Sequence, residues 1–494
     1  MPTLTVAFAS ERDPRSVELM ESLASHAHVT QLVALGKQPN QSVDLSSRAR
    51  DRIQIIESDL YSGDGINRLL DASEGDYLLL IAPCGKVEFG HETIERLLAV
   101  AEDSNAGMIY SDFKDEQDGK TTDHPLIDYE LGSIRDNFDF GAMIVFSKSA
   151  VDSAIRTNGR VNEELRYAGF YDLRLKLSIG SRVIRVPEPL YTRKLTDSRS
   201  SGERQFDYVD PCQRDYQIEM ERVATEHLKQ IGAHLAPAFR AVARSSERFP
   251  VRASVVIPVR DRERTIEDAV RSALSQRASF DFNVIVVDNH STDGTADILT
   301  RIAANDERLF HLIPQRFDLE IGGCWNEAMY ASQCGEYAVQ LDSDDLYADE
   351  RVLERIVAKL DEGPYAMAIG AYTLVNFELQ TILPGLIDHR EWTRENGRNN
   401  ALRINGLGAP RAFYVPLLKQ FGFPNLSYGE DYAVALRISR EYEIARIYEP
   451  IYFARRWEGN SDAALPIAIA NRYDAYKDRL RTIELLARKR INHT

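Results

Sequence analysis

Asp342-Ser343-Asp344-Asp345 follows the apolar run Tyr337 to Leu341, which sets two carboxylates one residue apart at the end of a buried strand. Carboxylates so placed can converge on a hard divalent cation, which prefers oxygen ligands and can also hold phosphate oxygens. Gly429-Glu430-Asp431 opens onto Val434, Leu436 and Ile438 at helical spacing, and a carboxylate there could take a proton from a hydroxyl. Asp288 closes the run Ile285-Val286-Val287. An ionised aspartate only accepts hydrogen bonds, so it suits an imide N–H or a ribose hydroxyl. Each acid also has a plainer reading: a solvated acidic turn, the acidic first turn of a helix, or, for Asn289 to Gly294, a turn capping the next helix.

These residues share a location as well as a charge. Each set stands just past the end of an apolar strand or at the start of a helix, and in an open α/β sheet the carboxyl edge of the strands is where ligands bind. The elements that would position them read as strands at Ser254–Val259, Asn283–Val287, Phe310–Ile313 and Tyr337–Leu341, with helices at Thr265–Ser275 and Thr295–Asn305. The first half shows the same alternation: strands at Leu4–Ala9, Val29–Leu35, Ile53–Ile56 and Tyr77–Ile81, with helices at Ser16–Ala27 and Gly65–Ala72. Alternating strands and helices predict a mostly parallel sheet with helices on its faces.

The halves repeat in detail. Tyr167 to Lys194 lies on Tyr428 to Arg455 without a gap, matching Tyr171 with Tyr432, Leu175 with Leu436, Arg185 with Arg446, Pro189 with Pro450 and Tyr191 with Tyr452. Gly75-Asp76-Tyr77 likewise meets Gly335-Glu336-Tyr337. The acids do not repeat. Ala82-Pro83-Cys84-Gly85 faces the acidic turn, and Gly169-Phe170 faces Glu430-Asp431. One working site and one retained fold would leave this pattern.

A chain of 494 residues gives a prior of about three domains. Its net charge of −16 disfavours nucleic acid and anionic membranes as general partners, because phosphate contact needs positive surface. Cys84, Cys212, Cys324 and Cys334 show no metal-knot or disulfide spacing. No apolar run approaches the roughly 18 residues of a membrane span, so the expectation is a cytoplasmic protein, peripheral at most at the inner membrane face. Ile218, Met220, Val223, Leu228, Ile231 and Leu235 give a helical connector between the halves, and Ile467 to Lys489 a closing helix that ends in cations. The expected division is 1–204, a connector 205–250, 251–462 and a C-terminal helix 463–494.

With the motifs in order, Ser254 to Ser461 resembles the inverting nucleotide-sugar glycosyltransferases of the GT-A fold, family 2. The resemblance rests on Val256-Ile257-Pro258-Val259, Val286-Val287-Asp288, Gly323-Cys324-Trp325-Asn326, Gly335-Glu336-Tyr337, Leu341 to Asp345 and Tyr428-Gly429-Glu430-Asp431. It implies two GT-A-like, Rossmann-like domains in tandem, the first without catalytic carboxylates. It also implies nucleotide-sugar contacts from Pro258, Val259, Arg260, Asp288, Asn326, Asp342, Ser343, Arg455 and Arg456. Asp344, with Asp342, would bind Mn2+ or Mg2+, and Asp431, with Glu430, would serve as the base. Gly408, Trp325 and Trp457 would lie toward the acceptor.

Two positions depart from the family pattern. Trp457 stands in the region where many relatives carry a metal-binding histidine, so ligation there would be weaker, completed by water, or partly replaced by Arg455 or Arg456 at the diphosphate. Arg260 replaces the usual aromatic or small polar residue.

The implied activity is metal-dependent inverting transfer of a sugar from a nucleotide-diphosphate sugar to a hydroxyl of a glycan, a lipid-linked acceptor or another acceptor. Bacterial surface polysaccharide or glycoconjugate synthesis would be its setting. Two alternatives stay open: a non-catalytic glycan- or nucleotide-sugar-binding scaffold, and a two-site polymerase, which would need acids that the first half lacks. A nucleotidyltransferase is disfavoured because Pro258 to Arg262 contains no glycine. Self-association through the first half is a further expectation.

Overall fold

The computed structural model describes residues 1–9, 15–36, 46–82, 86–194, 213–457, 459–460 and 465–493. Pro83, Cys84, Gly85, Cys212, Ser461 and the expected boundaries near 204 and 462 lie outside the described residues. The chain divides into two compact units, one formed by Met1–Ser200, Asp215–His234 and Leu465–Thr494, the other by Ser201–Arg214 and Leu235–Ala464.

Unit one contains β1 (Leu4–Ala9), β2 (Val29–Leu35), β3 (Ile53–Ile56), β4 (Tyr77–Ile81), β5 (Val87–Phe89), β6 (Met108–Ser111), β7 (Phe113–Gln117), β8 (Lys120–His124), β9 (Met143–Ser147), β10 (Val183–Val186) and β11 (Tyr191–Lys194). Its central sheet has the order β10-β6-β9-β4-β1-β2-β3, and a smaller sheet has the order β5-β11-β7-β8. The β-branched and leucine-rich β1, β2 and β4 are almost wholly buried, as strands covered by helices on both faces must be.

Unit two contains β12 (Ala253–Val259), β13 (Phe282–Asp288), β14 (Leu309–Leu312), β15 (Tyr337–Gln340), β16 (Leu346–Tyr347), β17 (Met367–Val375), β18 (Thr381–Ile387), β19 (Arg411–Tyr414) and β20 (Ile444–Arg455). The order β14-β13-β12-β15-β19-β17-β20-β16, with β18 beside β17, restates that of unit one. In each unit three parallel neighbours lead to β4 or β15, an antiparallel strand follows (β9 or β19), and a parallel pair closes the run. Both central sheets are mixed because β9 and β19 return against their neighbours: the sheet of unit one is otherwise parallel, as expected, whereas that of unit two has as many antiparallel as parallel pairings among the described residues.

The units also repeat buried polar pairs under the sheet. Thr5 Oγ1 donates to Gln31 Oε1 at 2.9 Å and accepts from Gly75 N at 3.0 Å. Ser254 Oγ donates to Asn283 Oδ1 at 2.6 Å and accepts from Gly335 N at 2.8 Å. A Cβ on Gly75 or Gly335 would come within 3.0 Å of the β1 or β12 backbone, so both positions need glycine. The units differ where the small sheet begins. In unit one the strands break, β6 before β7 and β10 before β11. In unit two β17 and β20 run on through register shifts at Ile369, Ala371 and Tyr372.

The expected connector is helical over Arg214–Gln230, and Asp215–His234 belongs to unit one while Leu235 onward belongs to unit two. The closing helix runs Ile467–Asn492 and completes unit one. Its buried Asp478 accepts from Ser133 Oγ at 3.0 Å and Arg481 Nη1 at 2.7 Å, with Arg135 Nε at 3.3 Å. Gly132 lies so close to this helix that a Cβ would stand 2.1 Å from the Asp478 carbonyl oxygen.

Candidate active site

Buried β15 delivers the acidic turn of unit two, and the turn is fixed from below. Tyr452 Oη on β20 accepts from Asp342 N at 3.0 Å, and Asp345 Oδ1 accepts from Arg455 N at 2.8 Å. Gln340 Nε2 donates to Asp342 Oδ1 at 2.9 Å. Burial, with the charges of Asp344 and Asp431 nearby, pushes the Asp342 carboxyl above the usual range. Burial beside Asp344 and Asp342 raises Asp345 further.

Glu430 and Asp431 open the helix Glu430–Glu441, whose N-cap is Gly429 at φ 82°, a left-handed turn that glycine takes without strain. Asp431 Oδ2 forms an ion pair with Arg411 Nη2 at 2.5 Å. Arg411 also donates through Nη1 to Gln340 Oε1 at 3.0 Å, and its backbone N reaches the same oxygen at 3.1 Å. One guanidinium thus joins the base candidate to the residue that holds Asp342. Burial, then the charge of Asp431, raises Glu430 to about 8, which leaves its carboxyl mostly protonated near neutrality. Asp342 links the acids into one cluster: it feels Asp344 and Asp431, acts on Asp345 and Glu430, and shares the Arg411 cation with Glu430 and Asp431. Three raised acids, Asp342, Asp345 and Glu430, gathered together mark a candidate functional site.

Trp457 reaches the same turn. Its indole Nε1 donates to Asp344 Oδ2 at 3.0 Å, and Asn460 Nδ2 donates to the same oxygen at 3.2 Å. The ring stands edge-on to Phe377, with the Arg264 guanidinium 5.1 Å from its centroid. An indole offers a donor and no lone pair to a cation. Asp344 Oδ1 and Asp342 Oδ2 carry no hydrogen bond among the described residues, so an oxygen pair suited to a hard divalent cation remains. Among the described residues no three acidic, histidine or cysteine side chains could enclose a metal. Phosphate oxygens and water would have to complete the shell.

The other expected site residues divide. Pro258 is half-buried, Val259 is buried and Arg260 is exposed at the end of β12, while Ser343 is half-buried within the acidic turn. Asp288 is buried, accepting from Ser291 N at 2.9 Å and paired with His311 Nε2 at 3.1 Å. Burial opposes its charge, yet His311 and Ser291 hold it below the usual range. Arg456 is half-buried, its backbone N donating to Val375 O at 2.8 Å.

Four of the expected residues have close structural neighbours of their own. Arg455 is 2% exposed and ion-paired with Asp268 at 3.0 Å; its Nε donates to the Asp344 carbonyl oxygen. It braces the acidic turn from beneath because burial leaves its guanidinium no outward path. Asn326 exchanges hydrogen bonds of 2.9 Å with the backbone of Phe423 in both directions, which uses its amide on the protein itself. Trp325 is buried and stacked on Phe423 at 5.2 Å, so its ring belongs to the core. Gly408 has φ 98°, and a Cβ there would lie 2.7 Å from the His389 ring.

Arg411 and His311 were not singled out in the sequence. The first lies in the glycine-rich segment Gly406 to Arg411, where its cation was the available signal. The second had none, being one isolated histidine on β14.

Residues 254–414 match Glycosyl transferase family 2, so unit two carries a family 2 glycosyltransferase domain. The chain is 35% identical over 141 residues to glycosyltransferase AglD of Haloferax volcanii, covering 26% of this chain and 22% of that one. It is 34% identical over 122 residues to the glycosyltransferase TuaG of Bacillus subtilis, whose name places it in teichuronic acid biosynthesis, covering 25% of this chain and 47% of that one. The chain thus spans less than half the length of either relative. The crystal structure of S. aureus TarS 1-349 in complex with UDP-GlcNAc aligns with a TM-score of 0.37 at 23% identity, over 48% of this chain and 72% of that one. No helix among the described residues is long and apolar enough to cross a membrane.

Proposed function

We propose that the protein is a metal-dependent inverting glycosyltransferase that moves a sugar from a nucleotide-diphosphate sugar to an acceptor hydroxyl at the acidic cluster of unit two. The observation that carries this reading is the joining of Asp342 to Asp431 through Gln340 and Arg411. A donor-side carboxylate and a base candidate are thereby held in one frame. Asp431 accepts the acceptor's hydroxyl proton while the oxygen attacks the anomeric carbon. The bond to the diphosphate breaks on the opposite face, and the nucleoside diphosphate departs with the electron pair. Asp342 and Asp344 would hold Mn2+ or Mg2+, which when bound supplies positive charge against the leaving diphosphate. Pro258, Val259, Arg260, Asp288 and Ser343 line the nucleotide side, and Trp457 fixes Asp344.

Unit one is, in this reading, a GT-A-like copy that has lost its chemistry. Support comes from its matching strand order, its matching buried polar pairs, and Gly169-Phe170 where unit two has Glu430-Asp431. Surface polysaccharide or glycoconjugate synthesis fits the name of the TuaG relative, and a cytoplasmic or peripheral location fits such a donor.

The test is a screen of UDP-, GDP- and dTDP-sugars with manganese, read first by melting temperature, since a ligand that binds only the folded chain stabilises it. Proton NMR of the product anomer then reads the stereochemistry. Binding without hydrolysis or transfer to any acceptor would replace catalysis with a scaffold role, and a retained anomeric centre would remove Asp431 as the base.

A further inference from the structure

Unit one holds a cavity of about 450 Å³, built wholly from its own three chain segments and lined by Ser178, Ser181, Arg182, His227, Ile231 and Lys489 among others. This is within the range of small-molecule sites, and three features mark it as built for a ligand. His227 is 4% exposed, and its Nδ1 has no hydrogen-bond partner among the described residues. Burial, with Arg174 and Lys489 nearby, holds this histidine at about 3, so the ring is neutral and one nitrogen is a donor while the other accepts. Half-buried Lys489 and exposed Arg182 both line the cavity and form no ion pair among the described residues, so the wall presents two cations in a chain of net charge −16. Glu130, the acid at the wall, is already paired with Arg479 at 2.6 Å.

The remaining wall sets the ligand class. Leu131, Val183, Ile184 and Ile231 supply apolar surface; Ser181 supplies a hydroxyl, and Ser178, which donates to the Leu175 carbonyl oxygen at 2.8 Å, supplies a hydroxyl oxygen as acceptor. The aromatic at the wall, Tyr129, is committed elsewhere: it stacks on Phe140 at 5.9 Å and its hydroxyl accepts from Arg174 at 3.3 Å. A nucleobase would find no open ring to stack on here, whereas a sugar needs donors, acceptors and a flat apolar patch for its C–H face.

We propose that this cavity is an accessory binding site for an acidic saccharide unit. Its carboxylate faces Lys489 and Arg182, its hydroxyls meet His227 Nδ1 and the two serines, and its C–H face rests on Ile184 and Ile231. The site is distinct from the acidic cluster of unit two and does not depend on transfer taking place there.

Calorimetry on the full chain with glucuronic acid, glucose and inorganic phosphate tests the assignment. Glucuronic acid is expected to bind at least about tenfold more tightly than glucose or phosphate, since a charge-assisted contact is roughly twice as strong as a neutral one and the sugar body adds to it. Lys489→Gln weakens that binding about fivefold or more, and Ile231→Trp, which fills the cavity, removes it. Asp342→Asn leaves it unchanged, which separates its failure from failure of the transferase reading. The melting temperature of each variant shows that it is folded, and Lys489→Gln at the rim carries the test if Ile231→Trp is not. Equal binding of glucose, equal binding of phosphate, no effect of Lys489→Gln, or loss with Asp342→Asn each overturns the proposal.

Discussion

The helices Gly169–Gly180 and Glu430–Glu441 occupy the same place in two units with the same strand order, yet their first turns have opposite character. Phe170 packs edge-on against Tyr61, Phe140 and Phe146 at 6.1 to 6.5 Å. Asp431, in the first turn of the corresponding helix of unit two, is held by Arg411 at 2.5 Å beside a raised Glu430. Apolar packing at that turn stabilises; clustered carboxylates there cost stability, because like charges and burial both oppose ionisation. A fold that keeps such a cluster in one copy and has an aromatic contact in the other separates what the architecture needs from what chemistry would need.

Substitutions can break or sharpen that contrast. Asp431→Asn should lower transfer about 10²–10⁴-fold, measured as nucleoside diphosphate released, whereas Phe170→Ala should leave the rate per folded molecule unchanged. A comparable loss of rate from Phe170→Ala would erase the distinction between the units. Asp344→Asn should abolish the manganese-dependent rise in melting temperature given by a nucleotide sugar; a preserved rise would move the cation elsewhere. Arg411→Lys keeps one charge but not the two-point link between Asp431 and Gln340, and is expected to cost about tenfold in kcat/KM. Phe170→Ala should cost about 1–3 kcal/mol in denaturant unfolding, below a fully buried phenylalanine because the ring is half-buried.

Glu430→Gln gives the subtlest effect and depends on pH. Glu430 sits at about 8 when folded against an ordinary 4.5, so the folded chain binds the extra proton. The stability this gives is present below pH 4.5 and lost as pH rises through about 8. Between pH 6 and pH 9 the parent should lose melting temperature more steeply than Glu430→Gln, and parallel profiles would contradict the shift.

Much of this organisation could be read from residue types. β1, β2, β3 and β4 fall where β-branched and leucine-rich runs predicted them, and β12 to β15 shift by a residue at most at their ends, because a buried strand declares itself through unbroken apolar sequence. The return strands β9 and β19 were not legible as antiparallel, since strand direction is fixed by where the connecting chain comes back and not by composition. The acidic turn and Glu430-Asp431 were legible as motifs. Their link through Arg411 was not, because Gln340 and Arg411 are 71 residues apart and meet only when β15 and β19 pair. Trp457 showed as a departure in the sequence, but its hydrogen bond to Asp344 needed coordinates. The hydrogen bonds of Asn326 with Phe423 and the stacking of Trp325 on the Phe423 ring were not legible, because a motif position says nothing about which way a side chain turns.

Unit one is assembled from the beginning, the middle and the end of the chain. On the ribosome its sheet strands emerge first, but the segment that gives Ser133 and Arg135 their partner Asp478 emerges after all of unit two. The second unit can therefore mature while the first still waits for its final piece. A nonsense mutation or proteolytic clip ahead of Ile467 would strike hardest at the opposite terminus, leaving buried cationic and hydroxyl groups at Arg135 and Ser133 uncompensated in a body whose own early residues are intact.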